Sequence, residues 1–333
     1  MFKFYKMVFL FMLFASTFMV ISANSWFSAW MGLEINMLSI IPLMNNMMNS
    51  YSTESSLKYF IVQALASSIF LMSMIMLSFE NFIQLLNNFM VYSLNSSLLL
   101  KMGMPPFHFW FPEMLEGLNW MNCSIILIWQ KISPMIILMY NSCYNLFFLL
   151  IISLGMTISG IMGINQVSLR KIMAYSSINH MSWMLASLMF SSLIWMNYFL
   201  IYVILSFLVL IYLYKSNTFY FQQFFFIKNP FKIVFVLNFL AMGGIPPFIG
   251  FFSKWMVIQT LLQNQLFLLS FFMIFLTLIS LYFYMRFITS SFLFYIEKLN
   301  FFYFKSTNSF FYWNLLIIVT FSLILSSLTY NLC

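Results

Sequence analysis

Long apolar runs, each about the length of one membrane crossing, alternate along the chain with short polar segments. A helix needs about 20 predominantly apolar residues to span the hydrocarbon core of a bilayer. Eleven runs of this kind are present, and they lie near residues 7–22, 26–44, 58–78, 84–104, 119–140, 145–164, 171–190, 194–214, 231–260, 266–288 and 311–330. The pattern predicts an all-α integral membrane protein with about 11 transmembrane helices.

The composition agrees with a chain whose solvent is lipid. Of the 333 residues, 63% are hydrophobic and only 6% are charged, whereas a soluble domain has about 25% charged residues. This balance excludes a soluble enzyme and a disordered chain. The three cysteines lie far apart without the short spacings of metal sites, so neither a disulfide framework nor a bound metal is expected.

The basic residues test the number of spans. With the N-terminus placed on one side of the membrane, called side A, eleven of the 14 Lys and Arg residues fall on side A and none falls in a loop on side B. These eleven are Lys3, Lys6, Lys58, Arg170, Lys171, Lys215, Lys228, Lys232, Arg286, Lys298 and Lys305. Basic loop residues stay on the side from which insertion starts. The net charge of +8 therefore records membrane orientation, and no nucleic-acid partner is expected.

The N-terminal run, residues 1–19, has the charge pattern of a signal peptide but no A-x-A cleavage site. We expect it to be retained as the first span. The odd number of spans then leaves the C-terminus on side B.

Four charged residues remain within or beside predicted spans: Glu34, Lys101, Lys131 and Lys254. A charge at the bilayer centre costs about 2.5–3.5 kcal/mol on insertion scales, so these side chains should face the protein interior, water or one another. The alternative is that they lie near span ends and extend their charged groups to the lipid headgroups.

Two histidines also lie in apolar surroundings. Serine and asparagine side chains surround His180 in the seventh predicted span, which makes it either a proton-relay residue or a hydrogen-bonded structural histidine. His108 follows a proline pair near the side-A end of its span. We expect it to be structural or peripheral.

A short motif occurs twice. Gly-Met-Pro-Pro-Phe at 103–107 and Gly-Ile-Pro-Pro-Phe at 244–248 each have a lysine nearby. Paired prolines break helices, although the pairs could also be ordinary turns at the membrane interface. Five predicted crossings separate the copies, so they run in opposite directions, as in the inverted repeats of secondary transporters. The predicted division is residues 1–140 and 141–288 for two inverted five-helix repeats, with a loop and a final span in 289–333.

Five stretches carry a resemblance to a known family. They are Trp26–Pro42, Lys101–Gly117, Trp129–Pro134, Ser168–Trp183 and Gly243–Trp255. Taken together and in order, they resemble the mitochondrial NADH dehydrogenase subunit 2 family, one of the antiporter-like membrane subunits of respiratory complex I. The resemblance covers nearly the whole chain and is weakest beyond about residue 288.

The resemblance implies an antiporter-like fold of two inverted repeats and a proton path along buried polar residues. Glu34 looks like the family's glutamate on the second helix, and Lys101 like the lysine beside the first broken helix. Lys131 resembles the central lysine, and Lys254 the lysine after the second broken helix. Side A would be the matrix, and the C-terminus would lie in the intermembrane space of the mitochondrial inner membrane.

The expected function is that of a core membrane-arm subunit of a proton-pumping NADH:ubiquinone oxidoreductase. No flavin fingerprint, iron–sulfur cysteine set, haem motif or dinucleotide glycine loop is present. NADH, FMN, iron–sulfur clusters and ubiquinone would therefore belong to other subunits of the complex, and the chain would contribute no redox centre. Its partners would be those subunits, neighbouring antiporter-like subunits above all.

The relay hypothesis is that Glu34, Lys101, Lys131, His180 and Lys254 hold and pass protons, driven by redox chemistry elsewhere. A cation/proton antiporter subunit would share the repeats and the lysines, and a purely structural membrane subunit is a third possibility. Phospholipid, with cardiolipin as one candidate, could bind beside the basic stretch 215–232, although the same lysines serve as ordinary topology signals.

Overall fold

The computed structural model describes residues 4–45, 49–78, 84–141, 146–226 and 229–293, and the part it describes is helical. The helices are α1 Phe4–Ile21, α2 Trp26–Met44, α3 Ser50–Ser78, α4 Gln84–Met102, α5 Trp110–Glu116, α6 Trp120–Ile128, α7 Ile132–Tyr140, α8 Leu146–Ile164, α9 Leu169–Leu188, α10 Ser192–Ser216, α11 Asn229–Gly243, α12 Ile249–Gln263 and α13 Phe267–Leu293. Two 3-10 segments, Trp129–Lys131 and Phe221–Phe226, join or follow them.

The predicted all-α membrane class is confirmed. Within the described ranges, 7 helical segments are long and apolar enough to cross a membrane. The remaining predicted spans near 84–104, 171–190 and 231–260 are helical too, but they are shorter or more polar. The last predicted span, 311–330, and the basic residues Lys3, Lys228, Lys298 and Lys305 lie outside the described residues.

The chain divides into two compact units, of which the first ends at Phe147 and the second begins at Phe148. In the first unit, α2 packs against α1 and α3, and α3 packs against α4 and α5. In the second unit, α10 packs against α9, α11 and α12, and α13 packs against α11 and α12. The residue bounds of the two inverted repeats stay a prediction.

Helix α9 is the most enclosed helix of the second unit. All its residues except Arg170 and Lys171 are buried, although it is one of the less apolar helices. Polar side chains inside a membrane are tolerated when other helices cover them and supply partners. The surrounding helices are α10, α12 and α13, so α9 carries its polar side chains in the interior of this unit.

Small residues allow several helices to approach closely, as is typical of helix packing in membranes. A Cβ at Gly32 on α2 would lie 2.6 Å from Val20 on α1. On α8, a Cβ at Gly163 would lie 3.1 Å from the ring of Phe283 on α13. A larger side chain at either position would require its neighbour on the adjacent helix to shift.

Segments that the topology assigns to side A meet one another within each unit. Lys58 near the start of α3 pairs with Glu113 of α5 at 2.9 Å. In the second unit, an isolated antiparallel bridge joins Ser168 to Tyr220, and the Arg286 guanidinium donates to the Gln166 carbonyl at 3.1 Å. These contacts join segments that the predicted span order places on one face, and the sidedness itself stays a prediction.

Candidate functional site

The three lysines assigned to spans are buried in protein. Their exposed fractions are 9% for Lys101, 2% for Lys131 and 7% for Lys254. A lysine that extends to the headgroups keeps its ammonium in water, and this degree of burial does not fit that arrangement. The lysines therefore lie where a charge is costly and where proton binding depends on the protein around it.

Lys101 lies in the last turn of α4, where the first proline motif ends the helix. The Met104 N–H donates to the Leu99 carbonyl at 3.0 Å and the Gly103 N–H to the Leu100 carbonyl at 3.1 Å. This is the Schellman pattern of helix termination, which requires a left-handed residue. Gly103 supplies it with a φ of 72°. The Lys101 carbonyl, left without a helical partner, accepts from the Gln63 side chain at 3.1 Å.

The second proline motif repeats this termination at the end of α11. The Ile245 N–H donates to the Leu240 carbonyl at 3.4 Å, and Gly244 has a φ of 79°. Lys254, on α12 beyond the break, donates from Nζ to the Gly243 carbonyl at 2.7 Å. Since the C-terminal end of a helix carries partial negative charge, the broken helix provides a binding place for this ammonium.

Lys131 lies in a 3-10 segment, Trp129–Lys131, which we call the Lys131 turn. The predicted span over 119–140 is present as Trp120–Tyr140, but it is not one regular α-helix, because α6 ends at Ile128 and α7 begins at Ile132. The physical reason is Pro134, which cannot donate to the carbonyl of Gln130 and whose ring clashes with it. The apolar run concealed a break that the proline requires.

Side chains that the sequence did not single out surround the Lys131 turn. Gln130 donates to Asn36 at 2.8 Å, and Tyr59 donates to Gln130 at 3.3 Å. A small cavity of roughly the size that one water molecule needs lies beside them. Its polar lining consists of Asn36, Tyr59, Gln63, Lys101, Gln130 and Ser133. The structure thus brings Lys101 and the Lys131 turn to one polar cavity.

Glu34 lies on α2 and is partly buried. It forms no direct ion pair with Lys101 among the described residues, but it is close enough for its charge to act on the Lys101 ammonium. The predicted Glu34–Lys101 pair is therefore an electrostatic neighbour pair rather than a contact. An interaction across a gap responds to small movements or to an intervening water.

His180 lies on the buried α9, and its Nδ1 is 2.9 Å from the hydroxyl oxygen of Tyr198. Tyr202, one turn further along α10, has its ring centroid 5.3 Å from that of His180. Sequence reasoning missed these tyrosines, although residues 198 and 202 have the i, i+4 spacing of one helix face.

His108 is buried in the turn after the first proline pair, and its ring packs on Phe109 at 4.3 Å between centroids. In the described residues, no group of three or more His, Cys, Asp or Glu side chains could hold a metal ion. The donor set of this part of the chain therefore does not fit an iron–sulfur cluster, which needs several thiolate ligands.

The contact between His180 and Tyr198 yields a first prediction. Tyr198→Phe removes one hydroxyl from a residue that is 1% exposed, and the change leaves Nδ1 of His180 without this partner. If His180 carries protons, proton translocation by the assembled complex should fall several-fold while the amount of complex stays near normal, since one lost hydrogen bond costs about 1–3 kcal/mol. Proton uptake per electron in sealed vesicles measures the effect.

Tyr212→Phe is the matched control, since Tyr212 is also buried on α10 but lies about 20 Å further along the helix. Unchanged translocation in the Tyr198 variant, or an equal fall in both variants, would remove His180 from the relay.

Comparison with known proteins gives a consistent result. Residues 23–280 match the family model described as NADH:quinone oxidoreductase/Mrp antiporter, TM. The chain is 51% identical to NADH-ubiquinone oxidoreductase chain 2 of Anopheles gambiae over 298 residues, covering 87% of each chain. It is 40% identical to the same protein of Locusta migratoria, covering 84% of this chain and 83% of that one.

Two solved structures share the fold. A chain of respiratory complex I from Thermus thermophilus superposes with a TM-score of 0.84 at 18% identity, covering 98% of this chain and 80% of that chain. A chain of the Mrp complex from Dietzia sp. superposes with a TM-score of 0.76 at 14% identity, covering 84% of this chain and 59% of that chain. The TM-scores show a shared fold, and at sequence identities this low the comparison shows the fold alone.

Proposed function

Because the chain belongs to the NADH:quinone oxidoreductase/Mrp antiporter membrane family, among its NADH-ubiquinone oxidoreductase chain 2 members, we propose that it is a proton-translocating core subunit of NADH:ubiquinone oxidoreductase. The observation that carries the proposal is the burial of Lys101, Lys131 and Lys254 at places where helices break. Buried amines at broken helices are costly for a merely structural protein and are typical of ion pathways.

The chain's own part in the reaction is to hold and move protons. Lys101 and Gln130 of the Lys131 turn border one polar cavity, so a proton released by Lys101 can enter a bound water there and the polar side chains of the cavity wall. The partly buried Glu34 is an electrostatic neighbour of Lys101 and would set when that lysine releases its proton. In the second unit, Lys254 on α12, bound to the last carbonyl of α11, and His180 on α9 would hold and pass protons in the same way.

The energy must come from partner subunits. Moving one proton against ~150–200 mV requires roughly 3.5–4.6 kcal/mol, and among the described residues no group of three or more His, Cys, Asp or Glu side chains could hold a metal ion. In this proposal NADH, FMN, iron–sulfur clusters and ubiquinone act in other subunits of the complex. Coupling to this chain is electrostatic or conformational, through changes that alter the charge balance around its lysines.

The proposed setting is the mitochondrial inner membrane, with the N-terminus in the matrix and the C-terminus in the intermembrane space. The distribution of the basic residues supports this orientation, since they gather on one side. The partners are other complex I subunits, including neighbouring antiporter-like ones. Anionic phospholipid such as cardiolipin would bind beside the basic stretch 215–232 on the matrix side.

Isolation of the native protein tests membership in the complex. In mildly solubilised mitochondrial membranes, the chain should migrate with flavin, iron–sulfur clusters and NADH dehydrogenase activity on a native gel. The fold shared with the Mrp complex favours a cation/proton antiporter as the second candidate. Migration in a complex that lacks flavin and exchanges cations for protons would support that candidate and contradict the proposal.

A further inference from the structure

Four polar side chains near the Lys131 turn form one continuous line of hydrogen bonds. Tyr59 on α3 donates to Oε1 of Gln130 at 3.3 Å. The Nε2 of Gln130 donates to Oδ1 of Asn36 on α2 at 2.8 Å. The Nδ2 of Asn36 in turn donates to the hydroxyl of Ser133 on α7 at 3.3 Å. The line crosses three helices and both sides of the Lys131 turn.

Every member of this line can both donate and accept a hydrogen bond. Carboxamides reverse their donor and acceptor ends by rotating 180°, and hydroxyls rotate freely. If Gln130 and Asn36 rotate together, Ser133 becomes a donor and Gln130 donates to Tyr59. The Tyr59 hydroxyl is then released to donate elsewhere. The same four groups therefore support two complete arrangements with opposite direction.

The cavity shows where the released hydroxyl would act. All four members of the line, together with Lys101 and Gln63, form its polar wall. The space is enough for about one water molecule with several polar partners. In the observed arrangement the Tyr59 hydroxyl donates to Gln130 and can only accept a hydrogen bond from a water in the cavity. After both carboxamides rotate, the same hydroxyl can donate a hydrogen bond to that water.

Gln130 holds the central place because of the break in the helix. Pro134 removes the helical partner of the Gln130 carbonyl, and the 3-10 geometry of Trp129–Lys131 allows the side chain to reach α2 and α3 together. Gln130 directly precedes Lys131 in the chain, so the bonds of its side chain to Asn36 and Tyr59 help to hold the turn that carries that lysine.

We propose that Gln130 is a positioning residue of the proton relay, whose reversible carboxamide orients Tyr59 toward the cavity beside Lys101 and holds the Lys131 turn in place. This rests on the proposed proton-translocating function. Gln130 does not itself take up the proton. It determines whether the bound water is arranged to receive or to deliver one.

Three variants in the assembled complex test this role. Gln130→Met keeps the length of the side chain but cannot form the hydrogen bonds, and its ratio of protons to electrons should fall to that of Lys131→Met. Gln130→Glu, which mimics the amide when protonated, should restore a large part of the lost translocation. Asn122→Leu is the control, since Asn122 also bonds across to α2, donating to the Leu43 carbonyl at 3.0 Å, outside the cavity lining.

The results that would overturn the positioning role of Gln130 differ from the result that would contradict the relay function. Wild-type translocation in assembled Gln130→Met, equal losses in Gln130→Met and Asn122→Leu, or no recovery with Gln130→Glu would each overturn the positioning role. If Gln130→Met does not assemble, Tyr59→Phe replaces it, because it deletes only the hydroxyl that Gln130 orients, and normal pumping in that variant overturns the role as well. Normal pumping in Lys131→Met would instead contradict the relay function itself.

Discussion

Replacing Lys131 by methionine should abolish the proton translocation that passes through this chain while leaving the complex assembled. The side chain is 2% exposed, and methionine has a similar length with no charge to bury. A proton-accepting side chain in the right position typically contributes a factor of about 10²–10⁴ to transfer. The ratio of protons moved to electrons transferred, measured in sealed vesicles under NADH oxidation, should fall accordingly.

Lys58→Met is the matched control. Lys58 is a lysine of the same unit that forms ion pairs with Glu54 at 3.0 Å and with Glu113 at 2.9 Å, and its side chain is 38% exposed. Exposed pairs contribute about 0–1 kcal/mol, so this variant should pump normally. A wild-type ratio in assembled Lys131→Met would leave the chain a structural subunit. Loss of the complex itself in that variant would show that Lys131 acts in assembly.

The sequence predicted best those features that depend on glycine and proline. Gly103 and Gly244 share a left-handed backbone, and both broken helices end with the same hydrogen-bond pattern. Such breaks can be found from sequence because few residues adopt these backbones. The lysines beside them were found for a related reason, since a charge in an apolar run is costly wherever the run lies.

The partners of these residues could not be predicted. The bond between Gln130 and Asn36 depends on the rotation and the axial position of one helix relative to the other. An apolar pattern determines neither the rotation nor the position, because lipid and protein interior are similarly apolar. The same holds for Tyr198 and His180. The break at the Lys131 turn was predictable in principle, because Pro134 cannot lie inside a regular helix without consequences.

Gly250→Ala should prevent the two halves of the second broken helix from packing and should greatly reduce the amount of assembled complex. A Cβ at Gly250 on α12 would collide with the carbonyl oxygen of Ala241 on α11. Backbone cannot move aside as the end of a flexible side chain can. Overpacking typically costs about 1–3 kcal/mol, and we expect the upper end or more because both helices must separate.

Gly243→Ala is the comparison that isolates this effect. A Cβ there would meet the Tyr284 ring at 3.4 Å, an ordinary contact, and alanine favours the helix that Gly243 ends. Its carbonyl, which binds Lys254, is unchanged. The amount of complex on native gels should therefore stay near normal in Gly243→Ala and fall sharply in Gly250→Ala. Equal amounts would mean that α11 and α12 do not need their close approach, and the proposed support of Lys254 by the end of α11 would then lose its structural basis.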